Sequence, residues 1–185
     1  SFMIGKKSNI EAGIVDWRNG PIAGLFFNYK QEEEFDEVIN QRERSGHIQL
    51  RRSYRVENGQ LVQIDTPEGV FRRSEAGWEK LDVEDEIAAH RSRAAGSTEK
   101  RLPSILSLIT KEQFELITSD PERPVIIQGS AGSGKTTVAL HRLAWLLHEK
   151  NSFAKAQNTR VVVMNKSLQI YVSATLPSMG IDGVQ

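Results

Sequence analysis

The chain has 185 residues, 24 basic and 24 acidic side chains, and no cysteine. This length suffices for one domain or two small ones, and the balanced charge excludes a globally basic footprint for nucleic acid. The lack of cysteine excludes a disulfide framework, and no apolar run approaches the roughly 18 to 20 residues of a membrane span. We therefore expect a cytoplasmic protein. Met3 behind Ser1 and Phe2 suggests either a piece of a longer protein, which is the expectation kept below, or a cloning scar.

Residues 1–80 are predicted to form a small, mostly β region. The segments "IVDW", "IAGLFFNY" and "HIQLRRSYRVE" are rich in β-branched and aromatic residues, which are typical of strands. The charges of "QEEEFDEVINQRERSG" suit a helix, whereas its "FDEVI" portion alternates like a strand. Both interpretations of that segment stay open.

A hairpin is predicted around Gly59. A three-residue loop that ends in a left-handed Gly59 sets Tyr54 opposite Val62. Arg52 then lies opposite Ile64.

Basic residues are frequent in this β region. Together with Tyr54 and Phe71 they resemble a phosphate-facing stripe: Arg51, Arg52, Arg55, Arg72 and Arg73. Acidic neighbours can neutralise the stripe, so a solvated face is favoured: Glu57, Asp65 and Glu68.

Residues 81–101 are predicted to form a helix and a linker. Asp82 can cap a helix over Val83–Ala95, and Gly96 can end it. The linker is "GSTEK".

From residue 102 to 185 helices and strands are predicted to alternate. A short helix follows Pro103, and a second one begins at Thr110. "VIIQ" and "RVVVMN" are predicted to be buried strands, with helices over "KTTVALHRLAWLLHEK" and "LQIYVSATL" after them. This order is typical of a parallel sheet with helices on its faces, so the expected fold class is α/β.

The stretch Gly129-Ser130-Ala131-Gly132-Ser133-Gly134-Lys135-Thr136 matches the phosphate-loop (Walker A) pattern. Glycines let successive backbone N–H groups turn toward phosphate oxygens, and the following helix adds the positive end of its dipole. Lys135 would contact the β- and γ-phosphates of ATP, and the Thr136 hydroxyl would ligate Mg²⁺. The simpler alternative is a Gly/Ser-rich turn before a helix.

The flanks of this loop narrow the family. "LITKEQFELI", "VIIQGSAGSGKTTVALHRLAWLL" and "VVVMNKSLQIYVSATLPSMG" resemble the glutamine motif, motif I and motif Ia of UvrD/Rep-type superfamily 1 helicases. "GIVDWRNGPIAGLFF" and "LRRSYRVENGQL" make the chain most similar to the DNA helicase IV and HelD group. The resemblance implies a partial RecA-like phosphate-loop domain over residues 102–185.

The resemblance also implies ligand-binding roles for individual residues. Gln113 would read adenine, and the alternative is that it only forms a capping box with Thr110. Asn165, Lys166 and Ser167 would contact single-stranded nucleic acid, or form an ordinary loop. Thr137 stands where several relatives carry an arginine that stacks on adenine, so that contact is in doubt.

By the same resemblance the intact parent would be an ATP-driven helicase or translocase on single-stranded DNA or another nucleic acid. The carboxylate of Walker B and the later motifs are absent, so this piece is expected to bind ATP weakly and not to hydrolyse it alone. One alternative is a HelD-like factor that binds RNA polymerase and recycles it. Another is an unrelated phosphate-loop kinase or regulatory ATPase.

Overall fold

A computed structural model describes residues 2–19, 21–39, 41–81 and 109–185 of the chain. Three sequence predictions lie outside these residues: the helix over Val83–Ala95, the "GSTEK" linker and the short helix after Pro103. The described residues contain four α-helices and eight short strands. The expectation of a mixed α/β protein is confirmed at that level.

The chain begins with two strands and a helix. Strands β1 (Met3–Gly5) and β2 (Ile14–Asp16) pair in parallel, as "IVDW" predicts for β2. The strand prediction for "IAGLFFNY" is wrong, because Pro21–Asn28 forms helix α1. Proline suits a first helical position, and Ala23 and Phe27 stand four residues apart on the one face that is buried.

Two antiparallel units follow. Strands β3 (Glu34–Ile39) and β4 (Arg42–His47) form a hairpin, which settles the ambiguous segment as strand. Strands β5 (Ser53–Glu57), β6 (Gln60–Thr66), β7 (Gly69–Ser74) and β8 (Gly77–Lys80) form a sheet in chain order.

The register predicted for the β5–β6 hairpin is wrong. Tyr54 pairs with Ile64, not with Val62. The turn contains only two residues, Asn58 and Gly59, whose φ values of 50° and 76° match the twist of a tight hairpin. A bulge after Arg55 then shifts the pairing by one residue.

Three helices lie in residues 109–185, and these positions agree with the sequence prediction. They are α2 (Lys111–Thr118), α3 (Lys135–Leu146) and α4 (Lys166–Ser178). A single 3₁₀ turn, Ala156–Asn158, lies between α3 and α4.

The parallel sheet predicted for this half requires a correction. Residues 125–128 and 160–165 form no strand, and the described sheets are antiparallel apart from the β1–β2 pair. A strand exists only where a neighbouring backbone completes its ladder. The Val161 N–H donates to the Gln185 carbonyl (2.7 Å), and the Gln185 N–H donates to the Thr159 carbonyl (3.2 Å). These two hydrogen bonds have the pattern of a single parallel bridge, which is too short to form a strand.

One apolar core joins the two ends of the chain. The rings of Phe27 (α1) and Phe114 (α2) stack with centroids 4.2 Å apart and planes at 16°. Trp17 and Ala23 are buried with them, together with side chains of α2, α3 and α4. Strands β3–β8 supply none of the buried apolar side chains found in the described residues. The domain limits predicted at residues 80 and 102 remain a prediction.

Candidate functional site

The candidate site is the loop of residues 129–134 and the first turn of α3. The loop makes a turn and is exposed up to Ser133. Gly132 and Gly134 have φ values of 80° and 84°, a left-handed conformation that side-chain-bearing residues rarely adopt. Gly134 is also the N-cap of α3, and no side chain caps that helix. The glycine spacing therefore shapes the entry into α3.

Backbone N–H groups at this helix start are free of protein acceptors. The first intrahelical donor is Val138, whose N–H reaches the Gly134 carbonyl at 2.9 Å. Ahead of it, the N–H groups of Gly134, Lys135, Thr136 and Thr137 donate to no protein group in the described part of the chain. Orphan donors together with the helix dipole make a site suited to an anion with several oxygens.

Lys135 spans the mouth of the loop. Its Nζ atom donates to the carbonyls of Gly129 (3.0 Å) and Ser130 (2.6 Å). These acceptors are neutral, so an anionic ligand oxygen in the loop would be a stronger partner for the ammonium group. The lysine is thus held beside the free N–H groups.

Gln113 contacts its own helix end and also approaches the loop. Its N–H and Oε1 make a reciprocal capping box with Thr110, at 3.3 Å and 3.2 Å. The Nε2 atom lies 3.4 Å from the point where a Cβ on Gly134 would stand. The capping alternative is therefore present, and it leaves the amide nitrogen directed at the loop.

Arg142 holds α2 against α3, and sequence reasoning missed it. Nη1 donates to the Ser119 hydroxyl (2.8 Å) and to the carbonyls of Ser119, Leu116 and Ile117, while Nη2 donates to the Asp120 carbonyl (3.0 Å). Burial lowers the pKa of Arg142, and the Asp120 carboxylate opposes that shift. A charged residue on an otherwise buried helix face was the available signal. The guanidinium satisfies carbonyls that the end of α2 leaves without partners.

The N-terminal segment around Trp17 packs against another side of α3. His141 is buried, its ring lies 5.5 Å from that of Trp17, and its Nδ1 donates to the Thr137 carbonyl at 2.8 Å. Burial lowers the pKa of His141. This packing explains His141 without a metal.

Asp16 and Arg18 form a buried ion pair. Arg18 Nη2 lies 2.7 Å from Asp16 Oδ2, and Nε lies 3.0 Å from Oδ1. Burial alone would raise the pKa of Asp16, but the hydrogen bonds and charge of Arg18 outweigh it and leave that pKa below its usual value. Asn151 Nδ2 joins this segment to the end of α3 by donating to the carbonyls of Arg18 and Trp145, both at 2.9 Å.

Asn165, Lys166 and Ser167 lie at the start of α4. Asn165 Oδ1 accepts from the Leu168 N–H at 2.8 Å, which makes Asn165 the N-cap of that helix. Lys166 and Ser167 are exposed in its first turn. Their predicted contact with nucleic acid remains a prediction.

Thr136 and Thr137 complete the predicted ligand set. The Thr136 side chain is exposed, and its hydroxyl has no hydrogen-bond partner in the described residues, so it is free to ligate a cation such as Mg²⁺. Thr137 is half-buried, and its carbonyl is occupied by His141. No group of three His, Asp or Glu side chains able to hold a metal occurs within the described ranges.

A scan against protein-family models matched residues 109–165 to the UvrD/REP helicase N-terminal domain. The match covers a little under one third of the chain and runs from α2 through the phosphate loop to the N-cap of α4. Searches of characterised proteins and of solved structures returned no match. None of the described helices is long and apolar enough to cross a membrane.

The family match supports similarity to UvrD-like superfamily 1 helicases, a class that uses ATP and Mg²⁺ and acts on nucleic acid. The finer likeness to the DNA helicase IV and HelD group receives no support from it. RNA polymerase as a partner is likewise unsupported.

Proposed function

We propose that residues 109–165 bind ATP and Mg²⁺ as part of a UvrD/Rep-like helicase or translocase. The observation that carries this proposal is the set of free N–H groups from Gly134 to Thr137 next to the Lys135 ammonium. The match of the same residues to the UvrD/REP helicase N-terminal domain supports it independently.

Different groups of the loop bind different parts of the triphosphate and its Mg²⁺. Backbone N–H groups of residues 129–136 donate to phosphate oxygens, and the Ser133 N–H exchanges its 3.3 Å bond to the Ser130 carbonyl for one of them. The dipole of α3 strengthens these bonds. Lys135 exchanges the Gly129 and Ser130 carbonyls for the β- and γ-phosphates, and a charged acceptor strengthens those bonds. The Thr136 hydroxyl supplies one ligand to Mg²⁺.

Base recognition falls to Gln113. Its Nε2 is directed toward Gly134, while Oε1 is engaged by the Thr110 N–H and keeps a second lone pair. The Thr137 side chain, in place of an aromatic-stacking arginine, contributes at most a van der Waals contact to the base. The proposed contacts to nucleic acid lie at the start of α4. They are the exposed Lys166 and Ser167, together with Asn165, which caps that helix.

The proposal is tested by titrating the chain with ATP in the presence and absence of Mg²⁺, using calorimetry. Lys135→Ala should weaken binding by about tenfold or more, since a charge-assisted hydrogen bond contributes roughly 1.5–3 kcal/mol. Thr136→Val should remove most of the dependence on Mg²⁺. Lys155→Ala, an exposed lysine away from the loop, is the matched control and should bind like the wild type. Equal affinities for Lys135→Ala and wild type would overturn the assignment.

A further inference from the structure

One face of the β5–β8 sheet has a composition unlike the other. Four residues lie directly opposite one another across the four strands: Tyr54, Ile64, Phe71 and Lys80. Residues opposite one another across a ladder project to the same face. Arg73 and Trp78 form the next cross-strand pair, two residues along the strands, and therefore share that face.

Aromatic rings on this face are open to solvent. Tyr54 is 52% exposed and Trp78 is 45% exposed, and the partly buried Phe71 lies between them in the sheet. Neither exposed ring is stacked on another ring or on a cation in the described residues. Single exposed apolar residues are common, but three aromatic rings in adjoining rows of one small sheet form a patch.

Two of the three acidic strand residues of this sheet lie on the face opposite the aromatic one. Arg73 and Lys80 are the strand cations on the aromatic face. Asp65 and Glu79 alternate onto the opposite face, where each has a partner: Asp65 with Gln63 (2.6 Å) and Glu79 with Ser74 (2.7 Å). Glu57 follows the bulge and lies opposite Gln60, on the face of Ile64, and its carboxylate pairs with the Arg55 guanidinium (2.8 Å). The expectation that acidic neighbours neutralise the arginines is confirmed at Arg55, which pairs with Glu57. Asp65 accepts from Gln63 and makes no ion pair with an arginine of the described residues.

The two cations are available to a ligand. The side chains of Arg73 and Lys80 are exposed and make no hydrogen bond or ion pair within the described part of the chain. Lys80 lies along the face, since its Cε is 2.6 Å from where a Cβ on Gly69 would stand. Among the described residues, the Glu68 carboxylate in the β6–β7 turn borders this region. Its pKa is lowered, first through its hydrogen bond with Thr66 and also through the charges of Arg52 and Lys80.

The five arginines named in the sequence do not form one stripe. Arg55 and Arg72 alternate to the opposite face, and the Arg51 guanidinium lies 4.5 Å over the Phe26 ring. The cations on the aromatic face therefore differ from the five arginines of the stripe that the sequence suggests.

We propose that the face formed by Tyr54, Phe71, Arg73, Trp78 and Lys80, termed the basic aromatic face, binds single-stranded nucleic acid. Flat rings stack on unpaired bases of any sequence, and cations beside them contact the phosphates. A duplex hides the faces of its bases and offers only its phosphates. The proposal depends on residues of the sheet alone, so it goes beyond the phosphate loop and does not require ATP.

The test is fluorescence anisotropy of a labelled single-stranded oligothymidylate and of a duplex of the same length, each titrated with the chain. Single strands should bind more tightly than the duplex. The logarithm of the affinity should fall with the logarithm of salt concentration with a slope of about −1.4 for two phosphate contacts. Tyr54→Leu should weaken single-strand binding by roughly tenfold, because stacking on a ring is lost.

A pair of neighbouring arginines supplies the matched control. Arg73→Gln should weaken binding and reduce the salt slope by about 0.7, whereas Arg72→Gln removes the same charge from the opposite face and should leave both unchanged. Circular dichroism melting of each variant establishes that the sheet is intact.

Several results would overturn the proposal. Among them are the absence of binding, equal binding of duplex and single strand, and equal losses for Arg72→Gln and Arg73→Gln. Loss of binding with Lys166→Gln but not with Arg73→Gln would place nucleic acid at α4 instead. Lys135→Ala should leave oligonucleotide binding unchanged, so failure of the ATP proposal and failure of this one are distinguishable.

Discussion

The guanidinium of Arg142 donates a 2.8 Å hydrogen bond to the Ser119 hydroxyl, which joins the middle of α3 to the C-terminal end of α2. The other end of α2 carries Gln113, next to Gly134 at the start of α3. The Arg142 hydrogen bonds at one end of α2 and the approach of Gln113 to Gly134 at the other place this helix beside the phosphate loop.

Replacing Arg142 by methionine is expected to destabilise the protein by about 2–4 kcal/mol, because several buried carbonyls lose their donor together. Urea unfolding measures this change. Arg123 is the control: it also contacts Asp120, at 3.2 Å, but its side chain is 81% exposed. Arg123→Met should stay within about 0.5 kcal/mol of the wild type. Similar effects of the two substitutions would show that Arg142 does not clamp α2.

The proposed role of Gln113 in binding adenine can be tested separately from its role in the capping box. Gln113→Glu keeps an acceptor for the Thr110 N–H but removes the amide donor that faces Gly134. We expect a melting temperature close to that of the wild type and a smaller preference for ATP over GTP in binding titrations. Retention of the full preference would mean that Gln113 only caps α2.

The stacked pair Phe27 and Phe114 should couple α1 to α2. Each substitution by alanine is expected to cost about 3–5 kcal/mol, because both rings are buried. A double-mutant cycle should return a coupling of about 1 kcal/mol, in line with a direct ring contact. Phe153→Ala, at a fully exposed ring, should have little effect. Additive losses at positions 27 and 114 would contradict the packing of the N-terminal segment on α2.

Stability should fall as the pH drops below about 6.5, the ordinary value for histidine. Burial lowers the pKa of His141 in the folded state, so the unfolded chain takes up the proton first and is favoured as the pH falls. Lys6, the charged neighbour of His141, acts in the same direction as burial. His141→Gln should flatten the wild-type slope between about pH 6.5 and 5 in urea unfolding. An unchanged slope would contradict a neutral, buried ring.

Asp16 contributes in a separate, more acidic window. Its folded pKa lies below 3.8, so the stability that it provides is present above that pH and is lost as the pH falls through the folded pKa. Asp16→Asn should reduce stability at neutral pH, because it leaves Arg18 buried without its carboxylate. It should also lessen the decline below pH 3.8.

Local signals in the sequence predicted much of residues 109–185. The Thr110 cap with Gln113 and the glycines before Lys135 act within one helical turn, and these two helices begin where those residues indicate. The cap at Asn165 was not predicted, and α4 begins two residues before the predicted Leu168. Features that depend on distant parts of the chain were not predicted. Nothing near Arg142 in the sequence reveals that its partners are the carbonyls that end α2, more than twenty residues earlier.

In the first half, local composition misled where tertiary packing decided the outcome. "IAGLFFNY" has the residues of a strand, but burying Ala23 and Phe27 together on one face, with Phe27 against α2, requires helical spacing. The segment around Val162 has the residues of a buried strand, yet Val162 is 93% exposed because the ladder beside it stops at one bridge. Composition reports what a segment prefers, while its neighbours determine what it forms.

The central claim is that main-chain N–H groups of residues 129–136 hold a polyphosphate, and the most direct measurement follows those groups by two-dimensional ¹H–¹⁵N NMR. Inorganic tripolyphosphate is the probe, since it carries no base and tests the loop alone. We expect saturable shifts for Gly132, Gly134, Lys135 and Thr136, and their loss in Lys135→Ala. The claim would be contradicted if the loop resonances stay fixed, whether or not resonances elsewhere in the protein shift.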